Sequence, residues 1–388
     1  MAHGERGGKE TVTEPEASYE TTIVFERRLA RVAAYLAAKR AVYRGLKVLG
    51  LFALARRLTA RSLRILCYHG FSIEDEHLFS PRTFIRGDTF ERRLRYLAEG
   101  GYPVLGLGEA LDRLADGSLP ACAVALTIDD GFYGTYALAR PLLERYRFPS
   151  TVYVTTYHAA KGTPVFGLAA QYIVWKSSAR ALDPVGLGLR GCAQMPIGDD
   201  SEKRGALKAI IDHGKQNLDE AGRARLIEAL AGQAGIDPRV VFEKRPVSLL
   251  NAAEIREMDR AGFDIQLHTH RHSFPADRGR ALAEIRDNRT FLEPLVSRPL
   301  EHFCYPNGRW SAEQLPWLRE AGIRSAATCN EGLNNRETPP LALKRFGDSE
   351  ALSQIEFEAE ICGLNAAMRN AKDAIVRLAK QTPLGRRR

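Results

Sequence analysis

The stretch "ALTIDDGFYGTY", residues 125 to 136, places two adjacent aspartates where an apolar run stops. Neighbouring carboxylates repel each other, and a buried charge without a partner costs several kcal/mol. A short apolar run of this kind is typical of a buried strand, so Asp129 and Asp130 are expected at its end. The fold must therefore supply partners for both charges, and those partners indicate the chemistry of the site.

From residue 62 onward the chain alternates short apolar runs with helical patterns. This alternation is typical of βα units that build a parallel sheet or a barrel. The six predicted strands are residues 63–69, 122–128, 150–156, 263–268, 301–305 and 324–328. A complete barrel has eight strands, so the expected fold is α/β with an irregular or incomplete (β/α) barrel.

Four segments are predicted along the chain. They are a disordered tail at 1–20, a basic amphipathic helical arm at 21–61, a main domain at 62–362 with a helical insertion at about 157–248, and a basic tail at 363–388. Two helices are expected in the insertion, at 202–216 and 219–234. A capping box from Asn251 to Glu254 and a terminating Gly262 predict another helix before the fourth strand.

The net charge of +9 belongs to the two ends of the chain. Residues 27–61 contain ten Lys and Arg and no acid, so the body between the ends is acidic. One interpretation of the arm is a helix, broken near Gly45 and Gly50, that packs on the domain with its basic face in solvent. The other is peripheral contact of residues 23–61 with an anionic membrane or a membrane-bound partner. Nucleic acid is not expected, because the arm has no recognition motif.

The cysteine pattern and the N-terminus indicate a cytoplasmic protein. Six cysteines are scattered without CxxC spacing, which is typical of buried thiols in a reducing compartment. The first twenty residues lack the basic-then-apolar pattern of a secretory signal. A cytoplasmic location, peripheral at the inner membrane face, is therefore expected, while the oligomeric state stays open.

Three histidines in "LHTHRH" follow the fourth predicted strand, at positions 268, 270 and 272. In an extended chain all three project to one side, whereas a turn after Thr269 brings His268 and His272 together alone. Carboxyl ends of parallel strands meet at one rim, so these histidines are expected near Asp129 and Asp130. Two imidazoles and one carboxylate form a site for Zn²⁺, with Co²⁺, Ni²⁺ and Mn²⁺ also suited.

The motifs in this order resemble those of the NodB-homology polysaccharide deacetylases, carbohydrate esterase family 4, in the exopolysaccharide-associated branch. The resemblance covers about residues 62 to 350. The matching motifs are "TIDDG" (127–131), "HTHRH" (268–272) and "FCYPNG" (303–308), together with "LCYHGF", "SPRTFIRGDTFERRLRYLAEGGYPV" and "LALKRF".

This resemblance implies a distorted, incomplete (β/α) barrel and hydrolysis of an N-acetyl group, a linear amide, from an amino sugar or glycan. It implies that Asp130, His268 and His272 hold the metal, and that Asp129 is the general base acting on a metal-bound water. The metal polarises the acetamide carbonyl, and the oxyanion lies between the metal and a backbone N–H. Tyr305 is the candidate for that N–H.

Two departures from the family pattern lead to further predictions. "FCYPNG" lacks the arginine that contacts the base in the common third motif, so Arg345 is predicted to contact Asp129, with an ion pair to Asp348 as the alternative. "LALKRFGD" lacks the histidine of the fifth motif that acts as general acid. The proton donor is therefore expected to be His69 first and His270 second.

Substrate contacts are expected from His270, Pro306 and Trp175, the last in an insertion whose aromatic side chains can stack on sugar rings. The cytoplasmic prediction favours a nucleotide-linked or lipid-linked sugar, or a small glycoside. Trp175 in the domain core is the alternative.

Three other functions are alternatives to a deacetylase. A binuclear amidohydrolase needs further histidines downstream, and only His302 follows His272. An iron oxygenase usually has its carboxylate near the first histidine, whereas Asp130 lies far upstream. A catalytically impaired, deacetylase-like carbohydrate-binding module remains the alternative, because of the two departures in the motifs.

Overall fold

The computed structural model describes residues 29–190, 194–369 and 371–372. The predicted tail at 1–20 and most of the basic tail lie outside these residues. Eleven strands are present among the described residues: β1 (Arg64–Tyr68), β2 (Gly70–Phe71), β3 (Phe84–Ile85), β4 (Val124–Ile128), β5 (Ser150–Val154), β6 (Ala181–Leu182), β7 (Met195–Pro196), β8 (Asp264–Leu267), β9 (His302–Cys304), β10 (Ser325–Ala327) and β11 (Phe346–Gly347).

The described helices cover the outside of the sheet and build the insertion. They are α1 (Leu29–Val48), α2 (Leu51–Leu58), α3 (Glu76–Phe79), α4 (Gly87–Glu99), α5 (Leu107–Asp116), α6 (Arg140–Tyr146), α7 (Tyr157–Lys161), α8 (Phe166–Lys176), α9 (Asp200–Asn217), α10 (Glu220–Gln233), α11 (Arg239–Phe242), α12 (Ala252–Arg260), α13 (Arg278–Leu292), α14 (Leu315–Glu320) and α15 (Gln354–Ile361).

Helix α12 shows how local sequence sets an element. The Asn251 side chain accepts from the backbone of the first turn, and Glu254 bonds back to the Asn251 N–H, which completes the predicted capping box. At the other end Gly262 has a φ of 92°, and its N–H bonds to Asp259. A residue with a side chain is strained in this conformation, so glycine ends the helix there.

Seven parallel strands form the main sheet, in the order β10-β9-β8-β5-β4-β1-β11. All six predicted strands are present in it. The seventh, β11, was not predicted, because two residues are too few to give an alternating pattern. The two edges are linked by residues 343–347: Leu343 bridges to Ala327 on β10, and Phe346 pairs with Leu66 on β1. The predicted incomplete barrel is confirmed.

The strands are buried on both faces, as expected for a parallel sheet covered by helices. On β1, Leu66 and Tyr68 pack in the core beneath the outer helices, whereas Ile65 belongs to a second cluster on the inner face with Ala125 of β4. Side chains alternate between the two faces along β4. Ala125, Thr127 and Asp129 therefore all point to the inner face.

The insertion has a core of its own, and the described helices α7 to α11 lie within it. It leaves the sheet after β5 and returns near residue 248, where Ser248 and Leu249 bridge to Pro164 and Phe132. Helices α9 and α10 occupy the two predicted helical segments.

The arm forms α1 and α2, which pack against α15 and against each other. The chain breaks at Gly50, whose φ is 77°, but not at Gly45, where α1 continues. None of the described helices is long and apolar enough to cross a bilayer. At the start of the predicted basic tail, residues 364–369 are helical, and Leu364 is buried.

The close approach of Gly134 to the chain after β1 leads to a stability prediction. A methyl group at Gly134 would overlap the carbonyl oxygen of Phe71, which is backbone and cannot rotate away. Gly134→Ala should therefore lower the free energy of unfolding by at least about 2 kcal/mol in urea denaturation. Gly45→Ala is the control, because nothing lies within 4 Å of its added carbon and alanine favours a helix. Equal urea midpoints for the two variants would contradict the packing described here.

Candidate active site

A cavity of about 130 Å³ opens at the carboxyl ends of the central strands. Its walls come from the segments that follow β1, β4, β8 and β9 and from the loop before β3, so residues far apart in sequence meet at one rim. The lining residues are His69, Thr83, Asp129, Asp130, His268, His272 and Asn307. Five of these were predicted as site residues.

Asp129 is held by a bidentate ion pair with Arg345. Nη1 of Arg345 donates to Oδ1 over 2.7 Å, and Nη2 donates to Oδ2 over 2.8 Å. Both side chains are almost completely buried. The guanidinium is fixed in turn, since Nε donates to the Thr328 carbonyl and Nη1 also donates to the Thr127 hydroxyl. The predicted contact between Arg345 and Asp129 is present, while Asp348 pairs with Arg93 instead.

Charge and burial act in opposite directions on this carboxylate. Burial raises the pKa of Asp129, but the Arg345 charge and its hydrogen bonds outweigh burial, with smaller contributions from His69 and His268. The pKa of Asp129 therefore lies well below its usual range, and the group is ionised at neutral pH.

Two buried thiols also face this carboxylate. The Sγ atoms of Cys67 and Cys304 lie 3.5 Å and 3.3 Å from Asp129 Oδ2. Burial raises the pKa of both thiols well above the usual value, although Arg345 acts in the opposite direction. Both therefore stay protonated and act as weak S–H donors.

Asp130 points to a different set of partners, because its backbone is turned. Its φ of 67° and the φ of 76° at Gly131 end the strand alternation, so both aspartates reach the cavity. Oδ1 of Asp130 lies 3.3 Å from His268 Nε2 and 3.2 Å from His272 Nε2. Asp129 thus contacts an arginine, whereas the adjacent Asp130 lies against two histidines.

The turn at Thr269 selects which histidines meet. Thr269 and His272 have φ values of 65° and 54°, so the chain leaves the extended conformation directly after His268. Of the two arrangements open from the sequence, the structure has the pair His268 and His272. Asn288 supports this turn, because its Oδ1 accepts from the His268 N–H and its Nδ2 donates to the Val154 carbonyl.

The cluster of Asp130, His268 and His272 fits a divalent metal. One ligand atom from each residue lies within 4.8 Å of the others, and all three residues are buried. Oδ1 of Asp130 is buried without a hydrogen-bond donor among the described residues. His268 Nδ1 lies 2.8 Å from the Cys304 carbonyl, which can only accept, so Nδ1 carries a proton and Nε2 is left with its lone pair.

Asp129 takes part in two other groupings with ligand spacing among the described residues, with Cys67 and His69 and with His268 and Cys304. Both of its oxygens are already bound by Arg345. The cluster around Asp130 is therefore the candidate metal centre.

His69 lies at the mouth of the same cavity. Its Nε2 is 3.8 Å from Asp129 Oδ2, and its side chain is one-third exposed. This distance is longer than a hydrogen bond, so the imidazole lies beside the carboxylate without a direct bond to it. His69 thus lies where it can meet both the carboxylate and a group entering from solvent.

His270 does not share this position, and its predicted role is corrected. Its Nδ1 lies 2.9 Å from the Thr156 hydroxyl, and its ring packs edge-on against Tyr157. It is not among the residues that line the cavity. The turn at Thr269 is the reason, because it separates His270 from the two histidines on either side.

The prediction for Tyr305 is also not supported. Its backbone N–H donates to the Ala327 carbonyl over 3.1 Å, as part of the pairing between β9 and β10. Its hydroxyl donates to the Leu341 carbonyl. The motif lies at the edge of the site, but this N–H has a partner in the sheet and does not point to an oxyanion.

Two predicted substrate contacts lie outside the cavity as well. Pro306 is buried and does not line it. Trp175 is partly buried, stacks on Tyr172 and packs against Phe79 at the edge of the insertion core. These contacts are typical of a structural tryptophan.

Four residues near the site were not predicted from the sequence. Thr83 and Asn307 line the cavity, and Cys67 and Cys304 contact Asp129. Asn307 belongs to the third motif, and its φ of 55° is a conformation that asparagine tolerates. The motif itself therefore indicated that Asn307 lies near the site. Thr83 belongs to the segment "SPRTF" of the resemblance and lies in the short loop between α3 and β3, but its residue type alone does not indicate a site.

The pairing of Asp129 with Arg345 predicts a specific pH dependence of stability. Arg345→Met leaves a buried carboxylate unpaired and should lower the free energy of unfolding by about 3–5 kcal/mol at pH 7. A carboxyl group whose pKa is lower in the folded than in the unfolded protein stabilises the fold at pH values above its unfolded pKa, near 3.9. This stabilisation is lost as the pH falls through the folded pKa. In the variant the burial of Asp129 is opposed only by the smaller contributions of His69 and His268, and protonation relieves its cost as the pH falls towards about 3.9. The difference in the free energy of unfolding between the two proteins in urea denaturation should therefore narrow as the pH falls from 7 to 3, and a constant difference over this range would contradict the ion pair.

The metal centre predicts stabilisation by added metal. One equivalent of Zn²⁺ should raise the melting temperature of the metal-stripped protein by about 5 °C or more, since a ligand that binds only the folded state stabilises it. His268→Ala should abolish this shift. His270→Ala is the matched control and should keep it, because that ring lies outside the cluster. An undiminished shift in His268→Ala would place the metal elsewhere.

The comparison with known families gives one match. A model of the polysaccharide deacetylase family matches residues 227–326. The matched segment contains His268, His272 and Tyr305, whereas Asp129 and Asp130 lie upstream of it. None of the curated proteins compared with the chain matches it.

The comparison with solved structures supports the fold through one neighbour with a TM-score above 0.5. The Streptococcus pyogenes deacetylase PplD in complex with acetate has 19% sequence identity and a TM-score of 0.52, over 78% of this chain and 99% of that one. IcaB from Ammonifex degensii has 18% sequence identity and a TM-score of 0.48, over 79% of this chain and 97% of that one. The BpsB deacetylase domain from Bordetella bronchiseptica has 14% sequence identity and a TM-score of 0.44, over 73% of this chain and 94% of that one.

The family match also supports the predicted enzyme class, a carbohydrate deacetylase that acts on linear amide bonds. The chain thus carries a segment with the sequence pattern of the polysaccharide deacetylases on the fold of a deacetylase, and the resemblance predicted from its motifs is confirmed.

Proposed function

We propose that this protein is a metal-dependent hydrolase that removes an N-acetyl group from an amino sugar or glycan. The observation that carries the proposal is the pair of separated carboxylates in one cavity, Asp129 on Arg345 and Asp130 on two histidines. Deacetylation needs a proton acceptor beside an electrophilic centre, and this arrangement offers both.

Asp130, His268 and His272 would hold the metal, with Zn²⁺ preferred and Co²⁺, Ni²⁺ or Mn²⁺ also suited to this donor set. When bound, such an ion supplies Lewis acidity that polarises an amide carbonyl and makes water more acidic. The residues themselves fix its place: the Cys304 carbonyl orients the His268 ring, and Asn288 fixes the backbone of the loop.

Asp129 would accept the proton of the attacking water. Arg345 keeps the carboxylate ionised and fixes the plane in which its oxygens lie. Its low pKa makes it a weak base in isolation, so the transfer depends on a water that is itself acidified. The position of Asp129 inside the cavity holds it within reach of that water.

His69 would return a proton to the leaving amine. It is the histidine that lines the cavity without belonging to the cluster around Asp130, among the described residues. Its place between Asp129 and solvent lets it hand on the proton that the carboxylate receives. Tyr305 and His270 have no part in this proposal, because their polar groups are bound elsewhere.

The substrate would enter with its acetamido group toward the metal and its sugar rings at the mouth. Thr83 and Asn307 line the cavity there, and hydroxyl and amide groups are suitable partners for sugar hydroxyls. The candidate substrates remain nucleotide-linked or lipid-linked N-acetyl sugars and small glycosides. The predicted cytoplasmic location stays a prediction.

The alternative of a catalytically impaired carbohydrate-binding module rested on the missing arginine and the missing histidine. Arg345 contacts Asp129 from another part of the chain, and His69 lies in the cavity. Both observations favour the enzyme over the binding module.

The proposal predicts acetate release from an N-acetylated sugar and its loss in two variants. Asp129→Asn should lower kcat by about 10²–10⁴-fold, because the amide cannot accept the proton. His69→Gln should lower kcat by about 10²-fold and remove one limb of the pH–rate profile. His270→Gln is the same substitution at a residue outside the cavity, and its kcat should stay close to that of the wild type.

The substrates to screen are UDP-N-acetyl sugars, lipid-linked N-acetylhexosamines and chitooligosaccharides. Metal content by elemental analysis belongs with this assay, and full activity in a metal-free protein would refute the metal-dependent mechanism. Binding of one of these sugars without acetate release from any of them would favour the binding module.

A further inference from the structure

Helix α1 turns its charged side chains toward the body of the protein. Lys39 pairs with Glu356 over 2.9 Å, and Lys47 pairs with Glu358 over 2.6 Å. Between them the Tyr43 hydroxyl donates to Asn365. Part of the basic face of the arm thus packs against acidic α15, while Lys39 and Lys47 keep 37% and 50% of their side chains exposed.

The opposite face of α1 is exposed and apolar. Ala34, Ala38, Ala41, Gly45 and Val48 follow one another at helical spacing, and all five are exposed. The helix thus has an apolar face towards solvent in addition to Tyr43 and Leu46, which pack on the body of the protein.

Large apolar side chains are concentrated on this face and its continuation in α2. Six of the nine large exposed apolar residues in the described chain lie between positions 35 and 58, with 50% to 87% of each side chain exposed. They are Tyr35, Val42, Val48, Leu49, Leu54 and Leu58. We call them the arm surface. Contiguous exposed apolar residues of this kind mark a surface that another body covers.

The charges next to the arm surface indicate what covers it. Arg44, Arg57 and Arg61 are exposed and make no ion pair with another described residue, and residues 27–61 contain no acid. Apolar side chains flanked by arginines suit the headgroup region of an anionic bilayer, where the chains enter the acyl boundary and the guanidinium groups meet lipid phosphates. A second copy of this chain would instead bring the same arginines against each other, which disfavours a symmetric dimer.

We propose that the arm surface is a docking site for an anionic lipid bilayer, on which the protein lies peripherally. The proposed contact is with one leaflet, through the side chains of the arm surface. The apolar side chains supply burial, and the three arginines supply preference for negative lipid. This proposal does not depend on the deacetylase activity.

Flotation of the full-length protein with vesicles tests the proposal. The vesicles are pure phosphatidylcholine and a 70:30 mixture of phosphatidylcholine and phosphatidylglycerol, about 30 mol% anionic lipid. The wild type should bind the mixed vesicles and release as salt is raised from about 0.1 M to 1 M. The double variant Val48→Glu with Leu49→Glu should lose at least about tenfold in partitioning. Arg57→Gln should lose roughly fivefold on the mixed vesicles alone.

Val185→Glu is the matched control, because Val185 is equally exposed but lies in the insertion. It should bind vesicles as the wild type does. Acetate release from a soluble N-acetyl sugar should be unchanged in all of these variants, which separates a failure of docking from a failure of the proposed function.

Two outcomes would overturn the proposal. One is equal partitioning of the wild type and the double glutamate variant. The other is a wild type that binds neither vesicle but sediments as a dimer, while the double glutamate variant sediments as a monomer; the arm surface is then an interface between two copies.

Discussion

The buried ion pair between Arg345 and Asp129 is the interaction on which the site depends. It joins β4 to the segment that links the two edges of the sheet, so one contact fixes both the carboxylate and the closure of the barrel. A buried pair of this kind is favourable only when its remaining donors are satisfied. Thr328 and Thr127 supply those partners, and both lie at strand ends beside the pair.

This interaction also explains how two adjacent aspartates coexist in one buried turn. Strand alternation points Asp129 inward to the guanidinium, and the left-handed backbone at Asp130 turns the next carboxylate to the histidines. Asp129 is paired with the guanidinium, whereas Asp130 lies with two imidazole nitrogens in a cluster that fits a cation. The division of roles between proton acceptor and metal ligand follows from this separation of environments.

The sequence predicted the strands well, because each is an apolar run bounded by turn residues or by polar site residues. It also predicted that Asp129, Asp130, His268 and His272 meet, since the carboxyl ends of parallel strands share a rim. It did not predict the direction of His270, which depends on one left-handed residue, nor the partner of the Tyr305 N–H, which is set by the register of β9 on β10. The arm shows the same limit: amphipathic spacing reveals two faces, but the acids of α15 decide which face packs inward.

The donors around Asp129 bear on its strength as a base. Arg345 alone makes charged hydrogen bonds to both oxygens, while the other close donors to Oδ2 are two thiols. Thiols are weak donors, so they fill the space beside the oxygen without strongly stabilising its charge. Hydroxyl groups at the same positions would lower the proton affinity of Oδ2 further. The inner face of the barrel thus keeps the carboxylate ionised and fixed through one strong donor, Arg345, and two weak ones.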